Sequence, residues 1–425
     1  MARMLIKLNG LWREPDFLKL WTGQTISKFG SYISGVALPL TALLVLAATP
    51  VQMGILVALE GAPVLLVGLF AGVWVDRLRR RPILIACDLG RALLLGSIPL
   101  AAALGVLRME QLYLVAALAG IFTVFFDIAN QSYLPALVER ERLVEANSKL
   151  GSSDSLAEIS GPALGGGLVQ VLTAPFAIVI DALSFLGSAL CVGAIRKPEA
   201  PSAPLEERQN VWREIVEGMG LVTRQPVLRA LMGGMCTFEF FGGFFGTLYT
   251  LYAVRDLHMP PALVGALVGL GGVGALLGSF VVGWVVRRLG VGRALIGAML
   301  FAATLQLLIP LARGPLALAV LMMAIPQVVG DIGWAVFLIG EVSLRQSVIP
   351  DRLLGRANAS MQFFTRGVSP LGALLGGALG ALIGARFTLL IAVCGILLGS
   401  LWLIFSPIRG LREHPAPAEE EKVIA

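Results

Sequence analysis

The sequence predicts an all-α membrane protein with twelve transmembrane helices in two pseudo-symmetric six-helix bundles, and three observations carry that prediction. Of its 425 residues 57% are hydrophobic and 14% charged, with a mean hydropathy of +0.84, which leaves too little polar surface to face water. The apolar runs are about 20 residues long and lack the alternation of a barrel strand, so helices are the elements that satisfy their backbone groups in hydrocarbon. The chain also repeats itself at half its length.

Windows of about 19 residues place the first six spans near 17–46, 52–75, 83–106, 112–134, 148–172 and 174–195. The second six fall near 226–254, 261–286, 294–312, 315–344, 359–384 and 386–406. Residues 1–195 are therefore expected to form the N-terminal bundle, 196–225 a cytoplasmic linker, 226–406 the C-terminal bundle and 407–425 a disordered cytoplasmic tail. No small-residue cleavage site follows the first apolar stretch, so it reads as a retained span. Within the linker, Trp212, Ile215, Val216 and Met219 share a helical face, which predicts an interfacial helix. An unstructured linker is the alternative, because Gly218 and Gly220 weaken that helix.

Charge sets the topology. Assigning loops alternately puts about 25 of the 33 Lys and Arg on one side and about 4 on the other. The positive-inside rule then makes both termini cytoplasmic, in a multi-pass protein of a bacterial inner membrane. The net charge of +6 is thus a topology signal, and no nucleic-acid partner is expected. Cys87, Cys191, Cys236 and Cys394 all fall in apolar segments without metal-like spacing and read as buried thiols. With no GxxxxGK[ST] motif and only His258 and His414 as histidines, no cofactor, metal site, direct ATP use or histidine-centred hydrolysis is expected.

Two local matches carry the repeat, at an offset of roughly 210 residues. GVWVDRL from Gly72 matches GWVVRRL from Gly283, pairing Trp74 with Trp284 and Arg77 with Arg287. Farther along, Ala146-Asn147 matches Ala357-Asn358, and Gly161, Gly165 and Gly166 fall on Gly372, Gly376 and Gly377. An even number of spans per repeat makes the halves parallel in topology, with a central crevice between them.

The loop after the second span, GVWVDRLRRRPIL, has a glycine, an Asp-Arg pair four residues on and two further basic residues: Gly72, Asp76, Arg77, Arg80 and Arg81. Arg79 stands where this pattern usually has a glycine. The loop resembles the signature of the major facilitator superfamily, which implies that these five residues form a conformational latch. Physically, an aspartate at a helix end can meet a neighbouring helix N-terminus while arginines grip carboxylates. A basic loop that only sets topology is the alternative reading from the residues alone.

On the fifth span, SGPALGGG sets Gly161, Pro162, Gly165, Gly166 and Gly167 within two helical turns, a composition suited to close packing or bending. It resembles the fifth-helix motif of the drug:proton antiporters in that superfamily. The stretch Leu20–Leu40, with DIANQSYLPALV on span four, is similar to the branch that includes macrolide and siderophore exporters.

Ionisable residues inside apolar spans are costly unless paired or facing water, so each is a functional candidate. Lys28 lies in span one, Asp127 in span four, Glu239 in span seven and Asp331 in span ten. The resemblance implies that these helices line the cavity. Asp154 and Glu158 share one face of span five, with Arg366 at the corresponding level of span eleven. A carboxylate there can exchange a proton, or trade it for a cationic substrate. Asp127, Glu239 and Asp331 are the foremost candidates, while Glu158 with Arg366 reads equally as a structural pair across the halves and Asp88 with Arg91 as a structural pair on one helix. Glu60, Asp181 and Glu341 are secondary candidates, and the aromatics around span seven, Phe238 to Tyr252, offer an apolar wall or simple packing.

The expected function is proton-coupled efflux of a small amphiphilic molecule by a monomer, with protons and membrane lipids as its other partners. A carrier of lysophospholipids or similar lipids is the rival within transport. An intramembrane enzyme finds no supporting acidic, His or Cys motif.

Overall fold

The computed structural model describes residues 10–199 and 219–413. The first six helices are α1 (Pro15–Leu44), α2 (Pro50–Arg77), α3 (Arg80–Ala103), α4 (Met109–Leu137), α5 (Leu143–Leu172) and α6 (Ala174–Gly193). The second six begin with α7 (Pro226–Leu251), α8 (Pro261–Leu289) and α9 (Val291–Gln306, extended by a turn at Leu308–Leu311). In α10, the pieces Leu316–Ile325 and Asp331–Val348 are joined by a π-helical turn, Pro326–Gly330. The series ends with α11 (Asp351–Ile383) and α12 (Ala385–Gly399, continued by Leu401–Ile404).

Among the described residues nine of these helices are long and apolar enough to cross a membrane. The three that fall short, α1, α5 and α7, hold Lys28, Asp154 with Glu158, and Glu239 respectively. Leu93, Val171, Leu190 and Leu382 stay exposed on the outer surface, as side chains facing lipid do.

Helix ends follow local sequence. Thr49 and Gln52 form a reciprocal capping box at the start of α2, with Gln52 N donating to Thr49 Oγ1 at 3.3 Å and Thr49 N to Gln52 Oε1 at 2.8 Å. Gly384, at φ +84°, makes the sharp turn from α11 into α12. Its counterpart between α5 and α6 is Thr173, held at φ +75° and ψ 158°, a region that residues with a Cβ rarely adopt.

In the first half α1 packs on α5 and α6, α3 on α4 and α6, and α2 on α4. In the second, α7 packs on α11 and α12, while α8 and α9 pack on α10. The halves meet along two main seams, α2 with α11 and α5 with α8. These are the two six-helix bundles that the repeat predicts.

Three expectations need revision or fall outside the described residues. Cys394 is exposed, because it lies on the outer face of α12; Cys87 is buried, Cys191 and Cys236 are partly so, and all four thiols are free. The tail expected to be disordered from residue 407 begins with a 3-10 turn, Pro407–Gly410, whose Ile408 is fully buried. Its next residues supply acceptors to the start of α9: Gly292 N donates to Leu411 O at 3.0 Å and Val291 N to Arg412 O at 3.3 Å. Residues 414–425 lie outside the described residues, as does most of the interfacial helix expected in the linker, of which 219–224 is helical.

Candidate substrate cavity

The seams close one end of the molecule, the end with few arginines. Gly265 on α8 lies against Gly166 on α5, and a Cβ added to Gly265 would come 2.8 Å from the Gly166 Cα. On the other side Gly54 on α2 faces Gly377 on α11 in the same way. Farther along the seams, a Cβ on Gly61 would meet Pro370 at 3.2 Å, and one on Gly272 would meet Ile159 at 2.8 Å. These two contacts of one seam map onto the two of the other with a single offset of 211 positions. Small residues let the backbones approach this closely, gaining dispersion contacts that lipid cannot replace.

The glycine motif of α5 thus divides its work. Gly161 and Gly165 pack on Tyr32 and Ile33 of α1, inside the first half, whereas Gly166 faces the second half. Pro162 is buried within the helix, and its carbonyl meets Gly265.

Toward the arginine-rich end α2 and α11 part. Gly68 has no neighbour within 4 Å to meet an added Cβ and instead borders a cavity of about 720 Å³. Asp127 of α4 and Arg366 of α11 line this cavity, together with Glu60, Arg91 and Asp181. A second cavity of about 390 Å³ adjoins it at Gln131 and holds Lys28 of α1 and Asp154 of α5. Their charges are 3.6 Å apart and both side chains are about half exposed, a geometry that leaves them accessible to a ligand. Beside them Gln24 donates to Asn130, tying α1 to α4.

The candidate acids do not share one chamber. Asp127 is in the large cavity, whereas Glu239 and Asp331 sit in the second half and do not border it. Asp331 follows the π-helical turn of α10 and lies against Gly271 and Gly274 of α8. Glu158 is exposed on α5, and Arg366, though it faces the cavity, makes no ion pair with Glu158 among the described residues. Arg366 instead shares the large cavity with Asp127, so a guanidinium of one half and a carboxylate of the other border one space.

The sequence undervalued α3. Arg91 donates from Nη2 to Asp88 Oδ1 at 2.6 Å, as a structural pair does. Its guanidinium also lies between the rings of Phe126 and Phe185, at 4.3 and 4.1 Å, and borders the cavity. Helical spacing alone does not reveal that third role. Three aromatics of α7 are packed inside the second half: Phe244 is buried, Phe241 lies against Gly395 of α12, and Phe238 stacks on Trp334 at 3.6 Å.

At the arginine-rich end, Arg80 and Arg81 tie α3 to the segment after α6. Glu199 accepts from Arg80 N at 2.7 Å and from Arg81 N at 3.3 Å, and Arg81 Nε donates to Val192 O at 3.1 Å. The rest of the expected latch, Gly72, Asp76 and Arg77, falls on side chains outside the described set.

The family model for the Major Facilitator Superfamily matches residues 20–370. The chain belongs to that superfamily. It is a multi-pass membrane transporter of that superfamily. Among curated proteins it is similar to the multidrug efflux pump Tap of Mycolicibacterium fortuitum, at 28% identity over 83% of this chain and 86% of Tap. It is likewise similar to the enterobactin exporter EntS of Citrobacter koseri, at 24% identity over 97% of each. Its fold matches a bacterial homologue of the iron transporter ferroportin in an inward-facing state, with a TM-score of 0.73 at 20% identity, covering 93% of this chain and 99% of that one. A bacterial homologue of ferroportin in an outward-facing state gives a TM-score of 0.58 at 19% identity, covering 92% of this chain and 98% of that one.

Proposed function

We propose that this superfamily member is a secondary active exporter that moves amphiphilic small molecules out of a bacterial cytoplasm in exchange for protons, by alternating access. Residues 1–195 and 226–406 act as its two rocking halves, joined by the 196–225 linker. The arginine-rich end is cytoplasmic by the positive-inside rule, with both termini there. The conformation described is then open inward and closed at the outer face by the paired glycine seams.

The observation that carries this reading is the composite cavity, which sets Asp127 and Arg366 from opposite halves around one space of about 720 Å³. A volume of that size suits a drug-sized ligand. Export, rather than import, is supported by the similarity to proteins named as a multidrug efflux pump and an enterobactin exporter. Asp127, Glu239 and Asp331 are the proton-exchanging candidates, with Glu158 next, and Lys28 with Asp154 forms a charged entry point. Gly72, Asp76, Arg77, Arg80 and Arg81 form the latch that would close the cytoplasmic face.

Reconstitution in liposomes under an imposed pH gradient tests the reading, with cationic dyes, macrolides, siderophores and lysolipids as candidate substrates. Gradient-dependent movement of at least one compound, lost in Asp127→Asn, is the expected result. A wild-type protein that moves none of them in response to the gradient would end the proton-coupling claim.

A further inference from the structure

At the wall of the large cavity lies a buried polar cluster between α1, α3 and α6, which includes Asp181, a secondary candidate in the sequence and not one of the proton carriers proposed above. Asp88 and Asp181 are 0% and 1% exposed, and the one guanidinium beside them, Arg91, is 5% exposed. Asp88 holds Arg91 by a direct ion pair at 2.6 Å. Asp181 is not part of that pair and accepts from Ser184 Oγ at 3.1 Å. Ser34 of α1 serves Asp181 and Ser188 of α6 serves Asp88, whereas Arg91 Nε on α3 has no hydrogen-bond partner among the described residues. Buried donors of this kind are paired in native interiors unless water serves them.

Two carboxylates against one guanidinium leave an excess negative charge, which is expensive in a buried site. The remaining charged groups around the cavity do not remove it. Asp127 of α4 and Glu60 of α2 add two further acids against the single guanidinium of Arg366 on α11. From α1, Ser34 faces the cavity beside Asp181, while Lys28 pairs with Asp154 of α5 at 3.6 Å and also acts on Asp127. Both Arg91 and Asp181 border the cavity, so the cluster is connected to the transport path.

We propose that Asp181 carries an exchangeable proton which neutralises this cluster, and that it gives that proton to cavity water when a cationic substrate supplies the balancing charge. The step breaks one O–H bond at the carboxyl and forms hydronium, with no other covalent change. The proposal rests on the proton-coupled reading and adds a carboxyl on α6 with Arg91 as its positioning residue. It also selects the substrate class, amphiphiles bearing positive charge.

The test compares wild type, Asp181→Asn and Asp181→Glu in liposomes, using a cationic dye and an entrapped pH indicator. Asp181→Asn should exchange the dye down its own gradient but lose proton-driven accumulation at least tenfold, and Asp181→Glu should restore part of it. Infrared difference spectra of the wild type should carry the carbonyl band of a neutral carboxyl that the dye abolishes and that Asp181→Asn lacks. Accumulation by Asp181→Asn equal to that of a coupled wild type would overturn this inference alone. A wild type that ignores the pH gradient would overturn it together with the proton-coupled reading. Should Asp181→Asn fail to assemble, the wild-type infrared band and Ser184→Ala decide. Loss of the band on adding dye and a shifted pH midpoint of coupling in Ser184→Ala support the proposal, whereas a band the dye leaves unchanged or an unshifted midpoint overturns it.

Discussion

Gly54 and Gly377 meet so closely that a Cβ on either would lie 3.1 Å from the Cα of the other. Gly265 and Gly166 repeat the contact on the opposite seam. A larger side chain at either place must force the helices apart, and overpacking of this kind costs about 1–3 kcal/mol. Gly54→Leu and Gly265→Leu should each move the population away from the seam-closed state by roughly 5- to 150-fold. Spin-label distances across the two seams would record the change. Two variants that differ sharply in effect would contradict the equivalence of the seams.

Thr173 stands where its repeat partner is Gly384, and the two share φ values of 75° and 84°. A side chain in that region stores strain of order 1–3 kcal/mol, so Thr173→Gly should raise the thermal unfolding temperature, whereas Gly384→Thr should lower it. Scanning fluorimetry in detergent reads both, and a fall in stability for Thr173→Gly would refute the strain argument.

The buried Asp88–Arg91 pair should respond asymmetrically to mutation. Removing Arg91 alone strands a buried carboxylate, with an expected cost of about 3–5 kcal/mol. Replacing both residues by apolar ones of similar volume, Asp88→Leu with Arg91→Met, should recover most of that stability without recovering proton-driven transport. Expression level and unfolding temperature test the first half of this prediction, and the liposome assay tests the second.

Lys28 and Asp154 form a half-exposed pair at 3.6 Å, whose contribution to stability should fall within about 0–1 kcal/mol. A double-mutant cycle with Lys28→Met and Asp154→Asn should therefore give a small coupling in unfolding experiments. Transport of cationic compounds should still change in the single variants, because each alters the charge of the smaller cavity.

Glu199 caps the first turn of α3 through two backbone donors. Glu199→Ala should cost about 0.5–2 kcal/mol, the usual range for a lost helix cap, while Glu199→Gln should keep part of it. Thermal unfolding checks the order of the three proteins.

The helices and their pairing into halves were legible because lipid imposes a long apolar run on every span and duplication leaves a register to read. The glycines at 161, 165 and 166 and their counterparts at 372, 376 and 377 pointed to close packing, and that packing is observed. Their partners Gly54 and Gly265 were equally available at the same offset, yet one glycine in an apolar run carries no signal until its neighbour across the seam is known. Cavity lining was harder to read. Asp127 and Glu239 look alike in sequence, each a lone acid in a span, but only the rotation of the helix decides which one faces the large cavity. In the sequence Arg91 reads only as a partner of Asp88, since spacing within one helix is visible whereas the rings of Phe126 and Phe185 come from two others.

The strap formed by Ile408, Leu411 and Arg412 has a practical consequence for handling the protein. A truncation ahead of Pro407 would strip the opening turn of α9 of two acceptors and uncover an apolar anchor, so shortened versions should express poorly. Affinity tags or fluorescent fusions placed downstream of Arg412 leave that strap in place and should be well tolerated.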